Sequence, residues 1–310
     1  MTAFSSPQSA LRAIASRLGA PLPTSRFLYC RCPLHGDDRP SLSLWVKAGW
    51  LHAKCFAGCN ETEVLAALGC DQTFTKPAPT DAEIEAEIAE ARAAAEKAAR
   101  ALKLWEVAVP VVAEPGYLIY HYLTQVRGLA MPPSGVPEVL RDGGEIRHLS
   151  GAYWPAMVAR VDDAYGEFSA VHRIWLDPNT GNKAPVEPPR AMLGPQMHGA
   201  VRLFEHPTSN ELLVAEGIET ALAAGELDHW QRSVWAAIST SGLMALNVPR
   251  RFTAVVIAAD HDANGAGEHA ANVLARRLRK KRVSERVIKP PEVGADWNDV
   301  LRAKKLGRAA

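Results

Sequence analysis

No stretch of this 310-residue sequence is apolar for the roughly 20 residues needed to cross a bilayer, and no N-terminal run has the form of a secretion signal. The expectation is a cytoplasmic protein with no membrane partner. Cysteine is scarce: there are five, an odd number, and four fall between Cys30 and Cys59. That distribution argues against a disulfide framework and for a reduced, metal-binding cluster. Net charge is also nearly absent, at +1. The mean hides an asymmetry, because residues 276–310 hold twelve Lys or Arg against four Asp or Glu. Such a basic segment suits a polyanionic partner, although a solvated helix face would look the same. There is no internal repeat and no GxxxxGK[ST] loop, so the chain is not expected to hydrolyse ATP as a helicase does.

What is present divides the chain. At about 150 residues per domain the length suggests two domains and a small third. Residues 1–70 hold the cysteines between two short helical segments, Gln8 to Leu18 and Thr62 to Leu68. Lys76-Pro77-Ala78-Pro79 follows as a stiff linker, and Thr80 with Glu83 forms a capping-box pattern ahead of an Ala/Glu-rich helix. Ile84, Ile88, Ala91, Ala95, Ala98, Leu102 and Trp105 recur on that helix as one narrow apolar stripe, which suits a connector lying on its own domain better than a partner-binding helix. Residues 107–205 are rich in Pro and Gly, with strand-like runs at Ala156 to Val161 and Ala170 to Leu176. After Glu211 short apolar runs (Leu212 to Ala215, Val234 to Ile238, Ala254 to Ala259) alternate with helical stretches, of which Gly265 to Lys281 is the clearest. This is the pattern of an α/β domain with a mostly parallel sheet, α+β for the chain as a whole.

Two ligand pairs, Cys32-Pro33-Leu34-His35 and Cys55-Phe56-Ala57-Gly58-Cys59, lie nineteen residues apart. Each pair can fill two corners of a tetrahedron while the intervening chain returns, so Cys32, His35, Cys55 and Cys59 predict one closed, structural zinc ion, Zn2+. Cys30 competes with Cys32, but Cys32 gives the usual two-residue gap to His35. Cys70 is read as core. Between the pairs, Ser41 to Val46 and Trp50 to Lys54 read as a hairpin across Lys47-Ala48-Gly49. It mixes Trp45, Trp50 and His52 with Arg39, Lys47 and Lys54, which suits stacked bases and phosphates and equally suits a plain half-buried sheet.

Acids gather at predicted strand ends. Glu216 follows Leu212 to Ala215, Asp260 and Asp262 follow Ala254 to Ala259, and Asp296 and Asp299 come after a third candidate strand, Val283 to Ile288. In a parallel sheet the carboxyl ends share one edge, so these carboxylates can converge there. A cluster of that kind takes up protons unless a cation offsets it, and Mg2+ or Mn2+, with their preference for oxygen ligands, would do so. An EF-hand reading of Asp260-x-Asp262-x-Asn264-Gly265 fails, because position 271 is Ala where a Glu is required and the preceding segment is strand-like.

The zinc pairs, with Asp38-x-Pro40-Ser41 and Cys55-Phe56 between and within them, resemble the zinc-binding domain of DnaG-type primases. Tyr153 to Glu205, through Pro155 to Ala159, His172 to Asp177 and Gly199 to Leu203, resembles the basic half of the polymerase domain in phage- and plasmid-borne members. The Glu216-Gly217 pair and the Asp260-x-Asp262 motif resemble the Toprim domain. The resemblance implies that 1–70 is a zinc-ribbon-like domain, 71–106 a linker helix, 107–209 the basic part of a primase polymerase domain and 210–310 the Toprim domain. It implies Glu216 as general acid/base or metal ligand, Asp260 and Asp262 as metal ligands and Asp296 as a further acid. It also makes Arg127, Arg173, Lys183 and Arg190 candidates for contacting template phosphates or incoming ribonucleoside triphosphates. Two departures stand out: a three-residue gap in the second cysteine pair, and Thr220 where many primases carry another acid, which implies a different metal shell to which the neighbouring Glu219 could contribute. The implied activity is synthesis of short RNA primers on single-stranded DNA, with recruitment by a separate replicative helicase or by the DNA alone. The rivals are a Toprim nuclease and a non-catalytic, RecR-like DNA-binding protein.

Overall fold

The computed structural model describes residues 6–18, 27–36, 40–47, 49–70, 81–195 and 198–307. The linker at 76–79, Thr80 of the capping-box pattern, Asp38, Arg39 and Ala48 lie outside them. The chain divides into two compact units, Met1–Ala89 and Glu90–Ala310.

In the first unit, α1 (Pro7–Arg17) starts where Ser6 and Ser9 cap each other's backbone amides and Pro7 presets the first turn. Three antiparallel strands follow, β1 (Phe27–Cys30), β2 (Leu42–Lys47) and β3 (Trp50–Cys55), ordered β1-β2-β3. The turn between β2 and β3 contains Gly49 at φ +82°, a backbone region that costs glycine nothing. Helix α2 (Glu61–Ala67) is capped by Asn60. Ile14, Leu28, Leu42, Leu44, Leu51, Val64 and Leu68 make the core, and Cys70 is buried with them.

The second unit contains two five-stranded sheets. The first is antiparallel in chain order: β4 (Val109–Pro110), β5 (Leu140–Arg147), β6 (Tyr153–Asp162), β7 (Phe168–Trp175) and β8 (Arg190–Leu193). Helix α3 (Asp81–Val107) precedes it, and Ala101 and Trp105 pack on Val158 and Val171 of the sheet. The stripe read from the sequence is buried only at that end, since Ile84, Ile88 and Leu102 are exposed. A short helix α4 (Leu118–His121) runs into a π-helical turn, Tyr122–Val126.

The second sheet has β9 (Val201–Phe204), β10 (Glu211–Ala215), β11 (Ser233–Ala236), β12 (Ala254–Ala258) and β13 (Ser284–Ile288) in the order β13-β12-β10-β11-β9. All neighbours are parallel except β9, which joins antiparallel. Helices α5 (Ile218–Leu227), α6 (Thr240–Ala245), α7 (Ala266–Lys280) and α8 (Trp297–Lys305) complete the unit. One hydrophobic core draws on both sheets, joining Leu140, Met157 and Ile174 to Leu213, Ile218 and Ala236. Among the described residues, no helix is long and apolar enough to cross a membrane.

Candidate active site and metal cluster

The cysteine cluster forms at one end of the small sheet. Pairing of Cys30 with Leu42 and of Leu42 with Cys55 fixes that end, and Cys32, His35, Cys55 and Cys59 bring one ligand atom each to within 4.8 Å of one another. His35 aims Nδ1 at Cys59 Sγ (3.2 Å) and Cys55 Sγ (4.0 Å), while its Nε2 meets the Ser41 hydroxyl at 3.2 Å. Ser41, noted in the sequence only as part of a motif, thus holds the ring in the ligating orientation.

The thiols press against one another. Burial raises Cys55, but the amides of Cys59 and Ala57 outweigh it and bring the thiol down to about 6. Cys59 is pushed up to about 11 by burial and by the neighbouring Cys55 and Cys32. Three thiolates cannot coexist here without a cation, and three sulfurs with one imidazole are a tetrahedral zinc donor set. Cys30, raised to about 11 by burial and by Cys32, stays a thiol in the core.

The acids meet in the second unit. Because β10 and β12 are parallel neighbours, with Ala215 beside Ala258, Glu216 and Asp260 leave the same sheet edge. Glu216 leads through Gly217 into α5, and Asp262 accepts a bond at 3.2 Å from the Gly267 amide in the first turn of α7. A Cβ at Gly267 would lie 2.9 Å from the Asp260 carbonyl, so this close approach requires glycine. Asp296 is the N-cap of α8 and exchanges a capping box with Asp299. The Trp297 indole donates to the Ala259 carbonyl at 3.1 Å and pins α8 to the end of β12.

These groups line one cleft of about 250 Å³ with Glu219, Arg127, Lys183 and Arg190. Arg173 is not among them. On β7, His172 and Ile174 face the core shared with the second sheet, whereas Val171, Arg173 and Trp175 face the opposite side. The structure therefore assembles three of the four candidate cations with the acids and leaves the fourth behind the sheet. The acids face the cleft without closing on one point, and the cysteine cluster is the one tight ligand group among the described residues.

Electrostatics make the cleft cation-seeking. Burial lifts Asp260 from 3.8 to about 7, with further pressure from Asp296, Glu216 and Asp262. Glu216 and Asp296 are also raised, in both cases mainly by burial. Asp260 Oδ1 is buried with no hydrogen-bond partner. An orphaned oxygen among unneutralised carboxylates fits a divalent cation bound by oxygen.

Such a cleft also predicts a pH dependence. With no divalent cation, folded Asp260 keeps its proton up to about pH 7, while the unfolded residue loses it near 3.8. Its contribution to stability is therefore greatest at low pH and falls as pH rises towards 7. Thermal melts from pH 5.5 to 8 should show wild type losing more Tm than Asp260→Asn; parallel curves would contradict the assignment.

Sequence reasoning missed one buried group, Tyr122, and its partner Glu219 lines the cleft with the acids. Tyr122, on the π-helical turn, donates a short hydrogen bond to Glu219, and Lys183 Nζ lies 2.7 Å from the same carboxylate. Arg127 Nε donates to the Tyr122 hydroxyl at 3.2 Å. Burial raises Glu219, but Lys183 and Tyr122 outweigh it and hold the carboxyl down at about 2. Its charge is paired with Lys183, and through Tyr122 it also bears on Arg127. The buried face of α5 could have flagged Glu219; nothing local to Tyr122 could.

Residues 211–306 match the Toprim domain, and residues 95–203 match a domain of unknown function (DUF7146). The parallel sheet that carries the strand-end acids thus has a Toprim-like fold. No curated protein matches the chain. Among solved structures it is similar to the Aquifex aeolicus primase (zinc-binding and RNA polymerase domains) at 17% identity and TM-score 0.41, over 98% of this chain and 83% of that one. It is similar to the primase fragment of the bacteriophage T7 primase-helicase at 14% identity and TM-score 0.38, over 91% and 96%. A DNA primase domain from Pseudomonas aeruginosa matches at 18% identity and TM-score 0.35, over 52% of each chain.

Proposed function

We propose that this chain is a DnaG-type primase that makes short RNA primers on single-stranded DNA. The observation that carries the reading is the cleft itself: acids from the ends of parallel strands face Arg127, Lys183 and Arg190 across one cavity. The cations suit a triphosphate, and Glu219 keeps two of them aimed by binding Lys183 directly and Arg127 through Tyr122. Glu216, raised by burial, is suited to hold the proton of an attacking 3′ hydroxyl. Asp260, Asp262 and Asp296, with Glu216, would hold Mg2+ or Mn2+, which would supply charge neutralisation of the nucleophile and the departing pyrophosphate. The cysteine cluster would hold Zn2+ and shape a template-reading hairpin on which Trp45 stacks against His52, with Phe56 exposed nearby. Recruitment would come from a separate replicative helicase or from single-stranded DNA alone.

The test is incubation with single-stranded DNA, labelled ribonucleoside triphosphates and Mg2+ or Mn2+. Templated products of a few nucleotides are expected. Shortening of the DNA in their place would assign a Toprim nuclease, and binding with neither reaction would assign a RecR-like protein.

A further inference from the structure

The face of the antiparallel sheet away from the cleft has a hollow of its own, about 560 Å³ in volume. Lys97 and Arg100 reach it from α3, Arg147 from the end of β5 and Arg173 from β7, and no carboxylate lines it. Lys97 stands one turn before Ala101, which is buried against the sheet, so this helix face points at the hollow. None of the four cations pairs with an acid among the described residues, whereas in the cleft Lys183 and Arg127 both have Glu219.

Arg173 is the informative member. Its residue is 8% exposed, its Nε has no hydrogen-bond partner, and the guanidinium has a single protein acceptor, the Met192 carbonyl at 3.3 Å. It lies 4.9 Å from the centre of the Trp175 ring, which supports it from one side and leaves its charge unneutralised. A buried guanidinium with five donors and no counter-ion is costly, and an anion in the hollow would relieve that cost. The neighbouring His148 is already committed: Nδ1 accepts from the Ser150 amide at 3.0 Å and Nε2 donates to the Pro188 carbonyl at 3.0 Å. It builds the wall and leaves the four cations to the ligand.

We infer that this hollow is a second phosphate-binding site, separate from the acidic cleft, and that it takes phosphate groups of either a nucleic-acid strand or a free polyphosphate. Planar guanidinium forks match phosphate oxygens in pairs, and nothing in the lining would repel them. The inference concerns binding alone and does not depend on the reaction proposed for the cleft.

The experiment measures affinity without divalent cations, a condition in which the cleft acids repel phosphate. The probes are a fluorescent 20-mer of deoxythymidine, read by anisotropy, and tripolyphosphate, read by calorimetry. Arg100 and Arg147 are exposed, so Arg100→Glu with Arg147→Glu keeps the fold. Arg250→Glu with Lys281→Glu, also exposed, is an equal charge change elsewhere. The first pair should weaken binding at least tenfold and the control less than threefold. For the oligonucleotide, the slope of log affinity on log salt should fall by about 1.4, two contacts at roughly 0.7 each. Loss for the oligonucleotide alone assigns the site to a strand; loss for tripolyphosphate alone assigns it to free nucleotides. Unchanged affinities, or equal losses in both double variants, overturn the proposal. Intact binding without primer synthesis would sink only the function proposed for the cleft.

Discussion

Asp260→Ala and Asp262→Ala are each expected to lower primer synthesis by roughly a thousandfold or more without unfolding the protein. Each 1.36 kcal/mol of lost transition-state stabilisation is about a tenfold loss in rate, and metal ligation contributes several such steps. The stability effects should differ. Asp260 Oδ1 is buried without a partner and the carboxyl is raised to about 7, so its removal relieves strain and should raise Tm. Asp262 accepts from the Gly267 amide, and losing that bond costs on the order of 1 kcal/mol. Glu216→Gln should be as inactive while still binding single-stranded DNA. Asp299→Ala should be milder, because Asp299 serves the capping box of α8. Primer synthesis and melting curves read both arms, and near wild-type activity in both Asp variants would make the DNA-binding protein the better account.

Cys55→Ala should release the zinc and unfold residues 30–60 while the Toprim domain keeps its own thermal transition. Structural zinc contributes an apparent ~10–16 kcal/mol to small domains, far more than three short strands and two helices hold in reserve. Cys55 has a double role, since it ends β3 opposite Leu42 and contributes its sulfur to the cluster. Elemental analysis should give one zinc per wild-type chain, and limited proteolysis of the variant should cut within 30–60 and spare the second unit. Wild-type protein purified without zinc would refute the reading.

Strand-end chemistry was legible because parallel strands buried on both faces are written as plain apolar runs. Leu212 to Ala215 and Ala254 to Ala258 announce themselves, and whatever follows them must lie on one edge. The cysteine pairs were legible for a similar reason, as ligand spacing is local. The antiparallel sheet was harder. β5 reads Leu-Arg-Asp-Gly-Gly-Glu-Ile-Arg, half exposed and irregular in register, and gives no clean alternation. β7 is buried on both faces, so the sequence does not say which side Arg173 takes; only its pairing with β8 and the packing of α3 decide that. Tyr122 was illegible because it meets Glu219 across 97 residues of sequence.

The core shared by the two sheets also has a mechanical consequence. Lys183 and Arg190 come with one sheet and the strand-end acids with the other, yet Leu140, Met157 and Ile174 are set in the same apolar mass as Leu213, Ile218 and Ala236. The spacing between those cations and acids is therefore tied to the packing of that shared core. A substitution that repacks Met157 or Leu213 is thus expected to shift the two sets of charges against each other without touching either.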